Sequence, residues 1–309
     1  MKVSVVLCTY NGEKYIKDLL LSLINQSQPL DELIVSDDGS TDNTLSIVKK
    51  YKSNFNKVTI LANRDSKGAA KNFVDASLYA TGDVIFFCDQ DDIWLPTKIE
   101  CMTNIMEKDK TINLLSSSIK PIYEKKPSFK NRFVIEKQKD NKRLEKVECV
   151  AKNINIKRSG CSMCVRNSFY KSIYKYWVDG WYHDDFVWKF SVFDNSSAIY
   201  NQVTVLRRIH DNNSSININR SLEQRLKQID NEINYSIIAS SNLAHSNFDL
   251  DELEKFVVFQ QNRKKYLENK DFLLLIKSCL FNMKCFRTKG QMFLDMCLVF
   301  GVINGKECI

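Results

Sequence analysis

Residues 84–92 carry the most chemical information in this chain. An apolar, β-forming run, Val84-Ile85-Phe86-Phe87-Cys88, ends abruptly in Asp89-Gln90-Asp91-Asp92, three carboxylates within four residues. Such a run is a buried strand, so the carboxylates emerge together at its carboxyl end. Gathered negative charge is costly unless a positive partner is present. A hard divalent cation, Mg2+ or Mn2+, answers that cost with carboxylate ligands and keeps coordination positions for phosphate oxygens. The segment therefore points to a metal–diphosphate site. Two further turns can share it. Thr9-Tyr10-Asn11 offers hydroxyl and amide groups to a base or ribose, and Asp37 and Asp38 offer acceptors for a base N–H or a ribose hydroxyl. Taken singly, the first is an ordinary turn and the second an ordinary helix cap.

The elements that must position these turns alternate. Residues 3–8 form a strand, and 13–26 a helix with an apolar stripe at Tyr15, Ile16, Leu19, Leu20, Leu23 and Ile24. Residues 32–36 form a second strand, and Ser40, Thr41 or Asp42 caps a helix running to about Tyr51. Strands at 57–61 and 83–88 flank a helix at 68–80, and Trp94-Leu95-Pro96 introduces another at about 97–108. Alternation of this kind gives an α/β fold with a mostly parallel central sheet flanked by helices. Ligands bind beyond the carboxyl ends of such strands, where the turns at Thr9, Asp37 and Asp89 meet. Residues 120–146, with ten Lys or Arg against four acidic residues, form a basic insertion, and 221–309 are mainly helical.

Composition narrows the function. The net charge of +8 suits an anionic substrate or membrane surface better than dedicated nucleic-acid binding, and no nucleic-acid motif accompanies it. Glycine-rich phosphate loops are missing: there is no GxGxxG after the first strand and no GxxxxGK[ST] anywhere. Ten cysteines in a long chain without a secretory signal fit a reducing compartment rather than a disulfide framework, and Cys161-Ser162-Met163-Cys164 is a lone CxxC, short of a zinc site. No apolar run reaches membrane-spanning length. The expected location is the cytoplasm, with peripheral contact at the inner face of the cell membrane open to the basic, amphipathic C-terminal region, as is packing against a homodimer partner.

Four segments in order carry a resemblance: Val-Val-Leu-Cys-Thr-Tyr-Asn-Gly-Glu at 5–13, Val-Ser-Asp-Asp-Gly-Ser-Thr-Asp at 35–42, Ala-Thr-Gly-Asp at 80–83 and Cys-Asp-Gln-Asp-Asp-Ile-Trp at 88–94. Together they resemble the GT-A (Rossmann-like) nucleotide-sugar glycosyltransferases of family 2. The last is similar to the bacterial rhamnosyltransferase-like branch. The resemblance is strong over 3–100, weaker over 159–215, and fades beyond about 220. It implies a GT-A catalytic domain at 1–220, divided into a nucleotide-binding half (1–100) and an acceptor half (101–220), followed by a helical region at 221–309.

The resemblance also implies roles. Thr9, Tyr10, Asn11 and Asp37 or Asp38 would face the nucleoside. Asp89 and Asp91 would form the DxD pair, with Asp91 holding Mn2+ or Mg2+ and Asp89 nearer the ribose. Lys71 stands where the family often has Arg, keeping the charge without the bidentate fork. Inverting transfer needs a base for the acceptor hydroxyl. His183-Asp184-Asp185 supplies it, as Asp184 in one alignment and as Asp185 in another; Asp184 leaves Arg208-Ile209-His210 in register with an Arg-x-His motif that touches the diphosphate. Trp181 and His183 lie where an acceptor sugar would stack, although an aromatic cluster at Trp177, Trp181 and Trp188 equally fits core packing. The implied activity is transfer of a sugar, L-rhamnose on the branch resemblance, from a UDP- or dTDP-sugar to a lipid-linked bacterial surface polysaccharide such as O-antigen or capsule. A nucleotidyltransferase would carry a Gly- and Arg-rich loop where Thr9-Tyr10-Asn11-Gly12 stands. A non-catalytic sugar-nucleotide-binding scaffold is the other alternative.

Overall fold

The computed structural model describes residues 1–62, 68–125, 138–210, 213, 221–243, 250–286 and 289–300. Its first half follows the expected alternation: β1 (Val3–Thr9), α1 (Ile16–Ile24), β2 (Glu32–Asp37), α2 (Thr44–Tyr51), β3 (Val58–Ala62), α3 (Ala69–Ser77), β4 (Val84–Asp89), β5 (Ile93–Trp94) and α4 (Lys98–Lys108). The second half holds β6 (Leu114–Tyr123), β7 (Leu144–Lys146), α5 (Ala151–Ile154), β8 (Met163–Arg166), α6 (Asn167–Ile173), α7 (His183–Phe193) and β9 (Ser197–Ile209). Four C-terminal helices follow: α8 (Leu222–Leu243), α9 (Leu250–Asn269), α10 (Phe272–Asn282) and α11 (Lys289–Val299).

Among the described residues one sheet runs in the order β3-β2-β1-β4-β8-β6-β9-β5, with β7 added on β9. The strands β3, β2, β1 and β4 are parallel, as the crossover helices require. Beyond β4 the sheet is mixed: β8 is antiparallel to β4 and β6, and β9 is parallel to β6. Both faces are covered, which is why the strands are apolar throughout. Along β1, Val6 and Cys8 join Phe73, Phe87, Phe186 and Trp188 on one face. Val3, Val5 and Leu7 join Leu19, Leu20, Ile99 and Met102 on the other. A fully buried side chain of this size contributes roughly 1.5–3 kcal/mol.

The ends of the basic 120–146 segment are strand, in β6 and β7, while 126–137 lie outside the described residues. The expected boundary near 220 likewise falls within 214–220, outside them. Tyr235 and Ala239 of α8 and Phe256 of α9 belong to the same hydrophobic cluster as Trp181, Phe186 and Phe190 of the catalytic half. A separate small cluster built on Ile229, Tyr266, Leu267 and Leu275 holds the C-terminal helices to one another. No described helix is long and apolar enough to cross a membrane.

Candidate active site

Strand register places the expected turns side by side. Thr9 is level with Asp37, and Cys8 with Asp89, at the carboxyl edge of β2, β1 and β4. Thr9 Oγ1 donates to Asp37 Oδ1 at 2.6 Å, and Ser40 donates to both Asp37 oxygens. Asp38 receives the Gly68 N–H at 3.0 Å. Asn11, at φ 47°, accepts from Thr41 N–H at 2.9 Å and so ties the first turn to the second. Gln90 ties the first turn to the third: its side-chain amide accepts from Tyr10 N–H at 2.9 Å and donates to Tyr10 C=O at 2.8 Å. A Cβ at Gly12 would come within 2.1 Å of Gln90 Oε1, so a larger residue there would push the Gln90 amide out of this clamp.

The acidic turn is closed from the other side by β9, whose Leu206 and Val205 pair with Ile93 and Trp94 of β5. Alternation along β9 sends two arginines to different places. Arg208 donates to the Asp91 carbonyl at 3.0 Å and to Asp18 at 3.1 Å, over the Tyr15 ring. Arg207 donates to Ser159 Oγ at 2.9 Å and holds its charge against Asp89 and Asp92. His210 stacks on Tyr15 and brings Nε2 to 2.8 Å from Asp91 Oδ2, to which Asn213 also donates at 2.9 Å.

Three carboxylates share this space, and burial makes two of them, Asp89 and Asp92, resist ionisation. Burial, then the charge of Asp91, pushes Asp89 up to about 7 despite the opposing pull of Arg207. Asp92 is raised well above the ordinary carboxylate value by burial and by Asp89, and its Oδ2 is buried without a hydrogen-bond partner. A divalent cation would offset this negative charge. Asp91 Oδ2 and His210 Nε2 share a hydrogen bond at 2.8 Å, so a cation taken up by Asp91 would have His210 as its neighbour. Asp89, Asp92 and Cys161 also bring ligand atoms within 4.8 Å of one another. Burial, then the neighbouring Asp92 and Asp89, pushes the Cys161 thiol up, and a neutral thiol is a poor ligand for a hard cation. The carboxylates of the turn thus suit Mn2+ or Mg2+, which Asp91 would hold next to His210, while Asp89 converges with Asp92 and Cys161.

The two candidate bases separate clearly. Asp185 is buried and saturated: Trp181 Nε1 donates to one oxygen at 2.8 Å and Lys189 Nζ to the other at 2.9 Å. Lys189, with no exposed surface, also binds Glu232 of α8 at 2.7 Å. Asp184 lies at the start of α7 and accepts from the Gly160 N–H at 3.2 Å. Its charge reaches Asp89, whose pKa it helps to raise, so Asp184 lies near the acidic turn.

Two acceptor expectations need correction. Trp181 has no exposed surface and is stacked on Tyr235 at 4.2 Å, so a sugar cannot reach its face. His183 is stacked on Phe73 at 4.1 Å and edge-on to Phe87, and burial lowers its pKa, so it packs as a neutral ring under Gly160. Lys71 pairs with Asp75 and lies over Trp177. Arg207, Gln90 and Asn213 are additions. Period-two alternation in Leu206-Arg207-Arg208-Ile209-His210 was a usable signal for Arg207.

Comparison with known proteins decides the family. The profile described as "Glycosyl transferase family 2" matches residues 4–172, more than half of the chain. The chain belongs to glycosyltransferase family 2. This family 2 chain is 32% identical over 119 residues to the putative glycosyltransferase EpsE of Bacillus subtilis, covering 38% of the chain and 43% of that protein. It is 36% identical over 107 residues to an Escherichia coli protein named UDP-Glc:alpha-D-GlcNAc-diphosphoundecaprenol beta-1,3-glucosyltransferase WfgD, covering 35% and 42%. These matches span less than half of either relative. To the dTDP-rhamnosyl transferase RfbG of Shigella flexneri it is 29% identical over 239 residues, covering 72% of the chain and 78% of that protein. The fold is shared with the crystal structure of S. aureus TarS 1-349 in complex with UDP-GlcNAc, at TM-score 0.62 and 17% identity over 97% of this chain and 92% of that one. The family 2 chain therefore has the expected GT-A-like architecture.

Proposed function

We propose that this protein is an inverting, divalent-metal-dependent glycosyltransferase that moves a sugar from a nucleotide-sugar donor to a lipid-linked bacterial glycan. One observation supports the reading most: Asp184, at the start of α7, lies near enough to the acidic turn for its charge to raise the pKa of Asp89. The nucleotide would lie across Thr9, Asp37 and Asp38, with its diphosphate at Asp89–Asp92. A divalent cation held by Asp91 and His210, with Asp89 beside it, would supply Lewis-acid neutralisation of the leaving diphosphate. Arg207 and Arg208 add fixed positive charge on the same side. Asp184 removes the proton of the acceptor hydroxyl as that oxygen attacks the anomeric carbon from the face opposite the diphosphate. Asp185, whose oxygens are engaged by Trp181 and Lys189, holds α7 in place.

A UDP- or dTDP-sugar is the favoured donor class. The name of the Shigella relative, which matches the largest share of this chain among those above, supports dTDP-L-rhamnose. A lipid-linked acceptor, a cytoplasmic location and a catalytic unit at 1–220 followed by a helical region at 221–309 belong to the same proposal. The test is a thermal-shift screen of UDP-, dTDP- and GDP-sugars with and without Mn2+, followed by transfer assays with the stabilising donor. A donor at about a hundred times its Kd stabilises the fold by about 2.7 kcal/mol. If no sugar nucleotide raises Tm in the presence of Mn2+, and no donor is hydrolysed or transferred, the reading fails.

A further inference from the structure

The C-terminal helices carry an apolar surface that neither the core nor the candidate active site uses. On α10, Leu273, Ile276, Leu280 and Phe281 recur at helical spacing on one face, and Leu273 and Phe281 are each 78% exposed. Met283 continues the strip beyond the helix, and Phe272 carries it to α11 through an edge contact with Phe300 at 4.9 Å. Phe293, 61% exposed, extends it along α11. An apolar surface of this extent marks an interaction site rather than scattered exposure.

Its charges say what covers it. Between Phe272 and Phe300 the sequence has four basic residues, Lys277, Lys284, Arg287 and Lys289, and one acidic residue, Asp295. Asp295 is fully buried and taken up by Arg263 at 2.6 Å and Tyr266 at 2.8 Å. Lys277 and Lys284 are exposed: Lys277 lies on α10 between Leu273 and Leu280 on their face, and Lys284 lies in the turn that follows the helix. The described surface of this segment is thus apolar and cationic with no exposed carboxylate. A protein partner of ordinary surface composition would not select for that; an anionic bilayer does. The α10 helix has 11 residues and is about 16 Å long, half of what spanning the hydrocarbon needs, so it lies on the surface.

We infer that α10 and α11 dock this chain on an anionic lipid surface, with Leu273, Leu280, Phe281 and Phe293 entering the interface and Lys277 and Lys284 meeting lipid headgroups. The strip is tied to the catalytic half by Asn155 Nδ2, which donates to Cys285 C=O at 2.8 Å, and to α9 by Phe286, which packs edge-on to Phe259. The inference goes beyond the transfer reaction, and binding can be read whether or not transfer occurs.

The experiment is co-flotation of the full chain with vesicles of phosphatidylcholine alone and of phosphatidylcholine with phosphatidylglycerol. The wild type should float with the anionic vesicles and be released by salt. The variant Leu280→Asp/Phe281→Asp should lose at least about tenfold in partition, and Lys277→Glu/Lys284→Glu should lose the preference for anionic lipid. All substituted side chains are exposed, so circular dichroism and the donor-induced Tm shift should match the wild type. Failure of the wild type to float, or flotation unaffected by both variants, overturns the inference. A wild-type dimer that Leu280→Asp/Phe281→Asp converts to monomer overturns it in favour of a second copy of the chain.

Discussion

Asp184 and Asp185 are consecutive in the first turn of α7, yet Asp184 meets the Gly160 N–H while Asp185 is locked between Trp181 Nε1 and Lys189 Nζ. Adjacent carboxylates therefore have different work. Asp184→Asn should keep Tm within a degree or two of wild type and lower kcat about a thousandfold, the range for removal of a general base. Asp185→Asn should lower stability by about 2–4 kcal/mol, since it leaves half of a buried ion-pair network unbalanced. Paired thermal melts and initial rates distinguish the two. Wild-type turnover by Asp184→Asn would remove it from the base role.

The Asp91–His210 contact makes a metal prediction. Asp91→Ala and His210→Ala should each weaken Mn2+ binding by about a hundredfold or more in calorimetric titration. A chelator should abolish transfer, with Mn2+ restoring it. Unchanged Mn2+ affinity in both variants would exclude this pair as the ligand set.

Gly160 sets the position of Asp184. A Cβ at residue 160 would stand 2.7 Å from His183 Nε2 and 3.1 Å from Asp184 Cβ, so Gly160→Ala must displace one of them. Both belong to α7 rather than to the turns at Thr9 and Asp37. The expected result is a fall in kcat of about a hundredfold with donor Kd unchanged. Equal losses in donor binding and turnover would point to general collapse of the cleft.

Glu32 controls acid stability from the opposite end of the sheet. Burial alone would raise its pKa, but Lys57, Ser4 and Thr81 bind the ionised carboxylate and bring it down to about 2. Its native value lies below its unfolded value, so its contribution is complete above the ordinary glutamate pKa and is lost as pH falls toward about 2. Glu32→Gln should cost on the order of 2 kcal/mol at neutral pH and nothing at the acid end. Urea denaturation across that range checks the sign. A cost independent of pH would assign the effect to packing.

The parallel half of the sheet was legible because its strands are buried on both faces and so read as unbroken apolar runs, from Val3 to Cys8 and from Val84 to Cys88. Their carboxyl ends were legible too, since polarity changes abruptly at Thr9, Asp37 and Asp89. The antiparallel insertion of β8 between β4 and β6 was not, because strand order depends on pairings distant in sequence. Trp181 and His183 misled for a related reason. An aromatic residue next to a base looks the same whether it meets a sugar or a core. What buries Trp181 is Tyr235, more than fifty positions away on α8. Asp185 was ambiguous on the same account, as its lysine partner draws its second carboxylate from Glu232.

The amide of Gln90 does for the turns at 10 and 90 what one further rung of β-ladder would do, with a side chain in place of a strand. The first turn and the acidic turn, where the proposal puts nucleoside and cation, are therefore mechanically one piece. Whatever orders one should order the other, so donor and metal should each bind more tightly when the other is present. By reciprocity the two enhancements must be the same factor. Gln90→Ala would let the loops settle independently and shrink that shared factor toward one, while leaving each ligand's own contacts intact.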